Sequence, residues 1–238
     1  VPPEFEDAAT YTRHVVTDML PAFAAEGLVD YVDAFCEKGY FGVDETRALL
    51  DASNELGIKS KVHVNQFNEI GGVELCVNQN ALSVDHLEVC GSEAIQSLIE
   101  GFERAEDGEG LPTYPVALPG CSHFLGIPYT PGRALIDAGL PLVLATDHNP
   151  GSAPSGDMTM AVRLASLKMG VLPREAVAAA TLNGAAAMEL SEEVGALGRG
   201  HRANLILTHP MEGLQDIAYR FTDAVVDKVF INGEIWEG

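Results

Sequence analysis

Leu142-Val143-Leu144-Ala145-Thr146-Asp147 is a short apolar run that stops on a carboxylate. Two earlier runs behave alike: Lys61-Val62-His63-Val64 carries an imidazole near its end, and Ser83-Val84-Asp85-His86 finishes on one. A parallel strand covered on both faces reads as a nearly continuous apolar run. A polar group at its C-terminal end is therefore out of pattern, and that end is where parallel α/β barrels keep their reacting groups. Three such endings predict one functional mouth.

Working outward, β-like runs alternate with helical patterns. The strand candidates are residues 31–36, 60–67, 82–89, 114–121 and 142–147, and between them residues 44–56, 72–80, 92–101 and 131–138 carry apolar residues near helical spacing. Asp44 and Ser92 are candidate N-caps, and Gly57 and Gly139 stand where helices should stop. Cys36, His63, His86, Cys121 and Asp147 follow one another at intervals of 27, 23, 35 and 26 residues. A (β/α)8 barrel allots roughly 31 residues to each unit, so the rhythm fits a barrel portion, about strands 4–8. A doubly wound sheet shares the rhythm, but no GxGxxG follows any strand.

After Asp147 come two helical stretches, 157–169 and the Ala-rich 173–190, and then glycines at 195, 198 and 200. Runs 203–208, 224–231 and 234–236 follow, with Asn232-Gly233 as a two-residue hairpin signal. The expected organisation is an α/β barrel portion over 1–190 and a small β-rich subdomain over 191–238.

Composition narrows the function. The chain of 238 residues has 35 acidic and 14 basic side chains, a net charge of −21. That charge excludes nucleic-acid binding through a basic face and attraction to an anionic membrane. With only five Lys beside nine Arg, the surface suits a high-salt cytoplasm, and equally an ordinary acidic protein. No run is apolar for the ~18 residues a bilayer demands. Val1-Pro2-Pro3-Glu4-Phe5 lacks the layout of a secretory leader and reads like the middle of a longer chain. Cys36, Cys76, Cys90 and Cys121 have no paired spacing, so reduced thiols in the cytoplasm are expected.

Two imidazoles and a carboxylate, His63, His86 and Asp147, make a ligand set suited to Zn2+ or Fe2+. Taken singly, each has a plainer role: a hydrogen-bonded core histidine, or an aspartate capping the next helix. The loop Asp147-His148-Asn149-Pro150-Gly151-Ser152 offers N–H groups, an amide and a hydroxyl that could cradle a carboxylate; an ordinary Asn-Pro-Gly turn is the alternative. Asp157 is a candidate cap. His14, His201 and His209 read as surface or structural. Ser122 and His123 lack a nucleophile elbow. Glu37 could support the site from behind or pair with Lys38 at the rim.

Phe35-Cys36-Glu37-Lys38-Gly39, Lys61-Val62-His63-Val64-Asn65-Gln66-Phe67, Gly71-Gly72, Ser83-Val84-Asp85-His86-Leu87 and Ala145-Thr146-Asp147-His148-Asn149-Pro150-Gly151-Ser152 together resemble the imidazolonepropionase family of the amidohydrolase superfamily. Gly195-Ala196-Leu197-Gly198-Arg199-Gly200 and Val229-Phe230-Ile231-Asn232-Gly233 extend the resemblance to the end of the chain. It implies metal-dependent hydrolysis of a small anionic cyclic amide, 4-imidazolone-5-propanoate, to N-formimidoyl-L-glutamate in histidine breakdown. His63 and Asp147 would ligate one divalent ion, zinc or iron, on the fifth and eighth barrel strands. His86 would contact substrate and assist proton transfer, and Asn149, Gly151 and Ser152 would hold the propanoate. A homodimer is also implied.

Two departures from the family pattern stand out. Many members carry Glu where this chain has Gln66, and a neutral amide cannot accept a proton from water. Gln66 is therefore expected to orient the substrate ring, leaving the proton to Asp147 or His86. The His-x-His pair of the superfamily's first strand is absent: no two of the seven histidines stand two apart. The chain thus reads as a C-terminal portion, inactive by itself. Rival readings are another amidohydrolase, such as a cytosine- or guanine-type deaminase with an aromatic pocket, and a non-catalytic degenerate barrel, for which Gln66 is the best argument.

Overall fold

The structure is a computed structural model and describes residues 1–237. Its described residues divide into two compact units, one of Val1–Val116 with Asp137–Leu140, the other of Ala117–Ile136 with 141–237.

The first unit opens with α1 (Ala8–His14), a π-helical turn (Val15–Met19) and α2 (Leu20–Ala25). Asp7 caps α1 by accepting from the Thr10 N–H at 2.7 Å. Short strands β1 (Tyr31–Val32) and β2 (Phe35–Cys36) precede α3 (Val43–Glu55). Next come β3 (Lys59–Val64), α4 (Gly72–Asn78), β4 (Ser83–His86), α5 (Ser92–Glu106) and β5 (Tyr114–Ala117), whose last residue lies in the second unit. Every pairing here is parallel: β1 and β2 both lie on β3, β3 on β4, and β4 on β5. Helices between parallel strands are what the alternating sequence pattern predicted.

The core lies between strands and helices. Ser60, Val62 and Val64 of β3 are buried, whereas Lys59, Lys61 and His63 point to the other, half-open face. α3 buries Thr46, Leu49, Leu50 and Ser53, the three- and four-residue spacing of an amphipathic helix. Gly72 lets α4 press against the sheet, since a Cβ there would sit 3.1 Å from Val64 Cγ1 and 3.2 Å from Cys36 Sγ.

In the second unit, α6 (Pro119–Leu125) is followed by α7 (Gly132–Asp137), which ends in the first unit, and then by β6 (Val143–Leu144), α8 (Met158–Lys168), α9 (Pro173–Ala180) and α10 (Leu182–Ala187). The Ala145 N–H donates to Ala117 O, and the Asn183 amide donates to Leu142 O at 2.7 Å. A separate antiparallel sheet consists of β7 (Leu205–Thr208), β8 (Val226–Ile231) and β9 (Glu234–Ile235), with α11 (Gln215–Tyr219) between the first two. Asn232 and Gly233 have φ of 52° and 85°, the pair of positive values that a type I′ hairpin turn requires.

Local departures from the sequence reading have physical causes. The run 31–36 splits at Asp33-Ala34, and 114–121 ends at Ala117 because Pro119, with no N–H to give a sheet, starts α6. The N-caps are Gly42 and Gly91 rather than Asp44 and Ser92; their N–H groups donate to Glu45 Oε2 at 2.9 Å and Glu69 Oε1 at 2.5 Å. Stretch 173–190 is two helices, broken at Thr181 (φ −124°, ψ −81°). β3 alternates instead of reading as a continuous apolar strand, because only its helix-facing side is deeply covered.

Candidate metal centre

His63 and His86 come together. Their ring centroids are 5.3 Å apart, although β3 and β4 alone would not arrange this. His63 stands in register with Asp85, and His86 with Val64, whose side chain faces α4. Regular alternation would send His86 toward the helix layer as well. Instead His86 and Leu87 adopt φ of 87° and 64°, a left-handed excursion that costs a non-glycine residue of order 1–3 kcal/mol and turns the ring toward His63. Asn65, at the end of β3, is left-handed too, at 54°. Strain of this kind gathers where a function needs a fixed geometry.

Each imidazole is held through Nδ1 by a carboxylate. His63 Nδ1 lies 2.9 Å from Asp33 Oδ1, and His86 Nδ1 lies 3.3 Å from the buried Glu88 Oε1. A carboxylate at Nδ1 fixes the tautomer in which Nε2 carries the lone pair, the arrangement found behind metal-ligating histidines. Asn65 Oδ1, beside them, is buried with no hydrogen-bond partner among the described residues. Burial pushes the Asp85 carboxyl up, with His63 pulling the other way. Two oriented imidazoles fit zinc or iron by donor type. Asp33 and Glu88 were missed in the sequence reading. A lone Asp interrupting the apolar run 31–36, and a Glu two residues beyond a strand-end His, were the available signals.

Gln66 is buried just after β3, and Glu37 explains how its loop is held. The Glu37 side chain is almost wholly buried and does not face the rim. Oε2 accepts from the Phe67 and Asn68 N–H groups at 2.8 and 3.2 Å, and Oε1 accepts from Asn68 Nδ2 at 2.9 Å and the Lys38 N–H at 2.8 Å. Burial alone would raise the Glu37 carboxyl, but these donors outweigh it and hold the group below the usual glutamate value.

In the second unit, Asp147 follows β6 by three residues and is left-handed at φ 56°. Asn149 organises the loop after it. Its Nδ2 donates to Asp147 O at 2.7 Å and to Ser152 Oγ at 3.1 Å, and its Oδ1 accepts from the Gly151 and Ser152 N–H groups, both at 2.8 Å. The loop is thus a turn closed on its own side chain. Asp157 caps α8, accepting from the Thr159 and Met160 N–H groups.

The other candidates lie elsewhere. His14 pairs with Asp18, His123 meets the Tyr129 hydroxyl, His201 Nε2 meets Ser191 O, and buried Ser122 donates to Leu118 O. His209 stands 4.0 Å from Asp227. All four cysteines are free thiols, and burial pushes Cys90 up to about 12. No helix among the described residues is long and apolar enough to cross a membrane.

Comparison with known proteins bears on the family and the fold. Among curated relatives, the chain is 50% identical over 230 residues to the imidazolonepropionase of Flavobacterium johnsoniae, covering 97% of this chain and 54% of that protein. It is 38% identical to the imidazolonepropionase of Geobacillus kaustophilus, over 92% of this chain and 50% of the relative. The chain therefore spans about half the length of the curated relatives it matches. A Xaa-Pro dipeptidase structure superposes with a TM-score of 0.71 at 16% identity, covering 95% of this chain and 59% of that one. A 5-methylcytosine deaminase from Klebsiella pneumoniae gives 0.69 at 15% identity, covering 97% and 68%. These likenesses establish the α/β barrel fold expected from the strand rhythm. A description of the amidohydrolase family matches residues 9–236, and the chain belongs to that family.

Proposed function

We propose that the natural full-length protein hydrolyses the cyclic amide 4-imidazolone-5-propanoate to N-formimidoyl-L-glutamate. The observation that carries this reading is 50% identity to a curated imidazolonepropionase over 97% of the chain. The oriented imidazole pair supports it.

In this reading His63 and Asp147 hold one divalent ion, zinc or iron, with His86 facing it. A metal in such a site supplies Lewis acidity, which acidifies water and polarises a carbonyl. The remaining work falls to the chain. His86, steadied at Nδ1 by Glu88, contacts the substrate ring and assists proton transfer. Gln66 cannot take a proton, so it orients the ring, and Asp147 or His86 receives the proton from water. Asn149, Gly151 and Ser152 bind the propanoate: the Asn149 amide N–H and the Ser152 hydroxyl donate to it, on a loop that Asn149 Oδ1 holds closed through the Gly151 and Ser152 N–H groups. Such a local clamp is needed because the net charge of −21 repels an anion. The same reading takes the protein as a cytoplasmic homodimer, with 1–190 as barrel portion and 191–238 as β-rich subdomain.

The test is direct turnover of 4-imidazolone-5-propanoate, with the Asn149→Ala variant alongside. Loss of one charge-assisted carboxylate contact, about 1.5–3 kcal/mol, raises KM roughly 10- to 100-fold while kcat changes much less. Absence of N-formimidoyl-L-glutamate from a metal-replete preparation sinks the proposal. Unchanged KM in the variant removes the clamp from it.

A further inference from the structure

We propose that Glu37 is the positioning residue for Gln66, clamping the two peptide groups that follow it and thereby fixing the backbone from which its side-chain amide is presented. This rests on the reading above that Gln66 orients the substrate ring. Three observations converge on it. Asn65 turns left-handed at the end of β3, so the chain leaves the sheet just before Gln66. The peptide group ahead of Gln66 is held from outside, because Asn65 O accepts from the Val89 N–H at 2.9 Å. The Phe67 and Asn68 N–H groups, next along, both end on Glu37 Oε2, while Glu37 Oε1 takes the Asn68 amide.

Gln66 is thus fastened on both sides. The fastening on the C-terminal side is one buried carboxylate, delivered from the end of β2. An ionised carboxylate is the suitable group: it is acceptor-only, and each of its oxygens takes two donors here. Glutamine at position 37 would turn one of those oxygens into an NH2 facing other N–H donors. A loop fixed only by generic packing would have no use for a buried charge satisfied solely by neutral N–H groups.

The experiment compares Glu37→Gln, Gln66→Ala and the double variant in the natural full-length protein. Loss of such a supporting partner lowers kcat by roughly 10- to 100-fold. If Glu37 acts through Gln66, adding Glu37→Gln to Gln66→Ala lowers kcat by no more than about twofold further, because contacting residues in one network are not additive. Losses that multiply overturn the inference. Should Glu37→Gln fail to fold, Asn68→Ala removes a single donor and is expected to give a smaller kcat loss with the same dependence on Gln66. A readout independent of the reaction is the 15N resonance of the Gln66 side-chain amide, sharp in the wild type and broadened in Glu37→Gln. If the wild type does not turn over the cyclic amide, the functional reading fails while this signal still judges the clamp. An amide equally ordered in both proteins overturns it.

Discussion

Replacing His63 by alanine is expected to abolish useful turnover in the natural full-length protein and to strip its metal. The imidazole is a proposed ligand, presented by the second-last residue of β3 and held at Nδ1 by Asp33 at 2.9 Å. Losing it removes a nitrogen donor and leaves a carboxylate facing an open space. Metal-supplied activation is worth several kcal/mol, and each 1.36 kcal/mol is tenfold in rate, so the loss comes to roughly a thousandfold. Bound metal, measured by elemental analysis, should fall well below one ion per chain. The fold should persist, because His63 lies on the half-open face of β3 while Val62 and Val64 carry the packing. A variant that keeps a tenth of the activity and its full metal content contradicts the assignment of His63 as a ligand.

The second large effect concerns stability. Arg163, on α8, is buried, and its guanidinium donates to three main-chain carbonyls: Ile217 at 2.9 Å, Arg220 at 3.3 Å and Asp223. A cation at the C-terminal end of α11 also meets the negative end of the helix dipole. Arg163→Ala leaves the carbonyl of buried Ile217 without its donor, at a cost of about 1–3 kcal/mol, gives up the part-buried bonds to Arg220 and Asp223, and removes the packing of a buried side chain. Even with partial relaxation, a loss of roughly 3 kcal/mol follows, equivalent to about 6–12 °C in Tm for a chain of this size. Arg163→Lys, which keeps the charge without the planar fork, should fall in between. Urea or thermal unfolding measures this. A Tm within a degree of wild type for Arg163→Ala shows that the three bonds contribute nothing.

What could be read from sequence follows from how local each signal is. The polar endings at His63, His86 and Asp147 stand out in the sequence because a polar residue at the end of an apolar β run is a local contradiction; the approach of the His63 and His86 rings is what the structure adds. The hairpin at Asn232-Gly233 and the cap at Asp157 were legible for the same reason: one or two residues decide the backbone there. The turn of His86 out of strand alternation was not, since nothing in Ser83-Val84-Asp85-His86 demands a positive φ. Asp33 lies 30 residues from the ring it steadies, and Glu37 is 30 and 31 residues from the N–H groups it clamps. Such pairings depend on β1 and β2 lying beside β3, which composition and spacing do not encode. The break at Thr181 was hidden by the high helix propensity of the alanines around it.

In the function proposed, His63 and Asp147 hold one divalent ion and His86 faces it. That arrangement is tested most directly by anomalous X-ray scattering at the absorption edge of the bound metal, in crystals of the natural full-length protein. The expected map has one strong peak about 2.0–2.2 Å from a His63 nitrogen and an Asp147 carboxylate oxygen, with the His86 ring turned toward it. A peak coordinated by other side chains, or none at all beside His63 in a protein that still hydrolyses the cyclic amide, contradicts it.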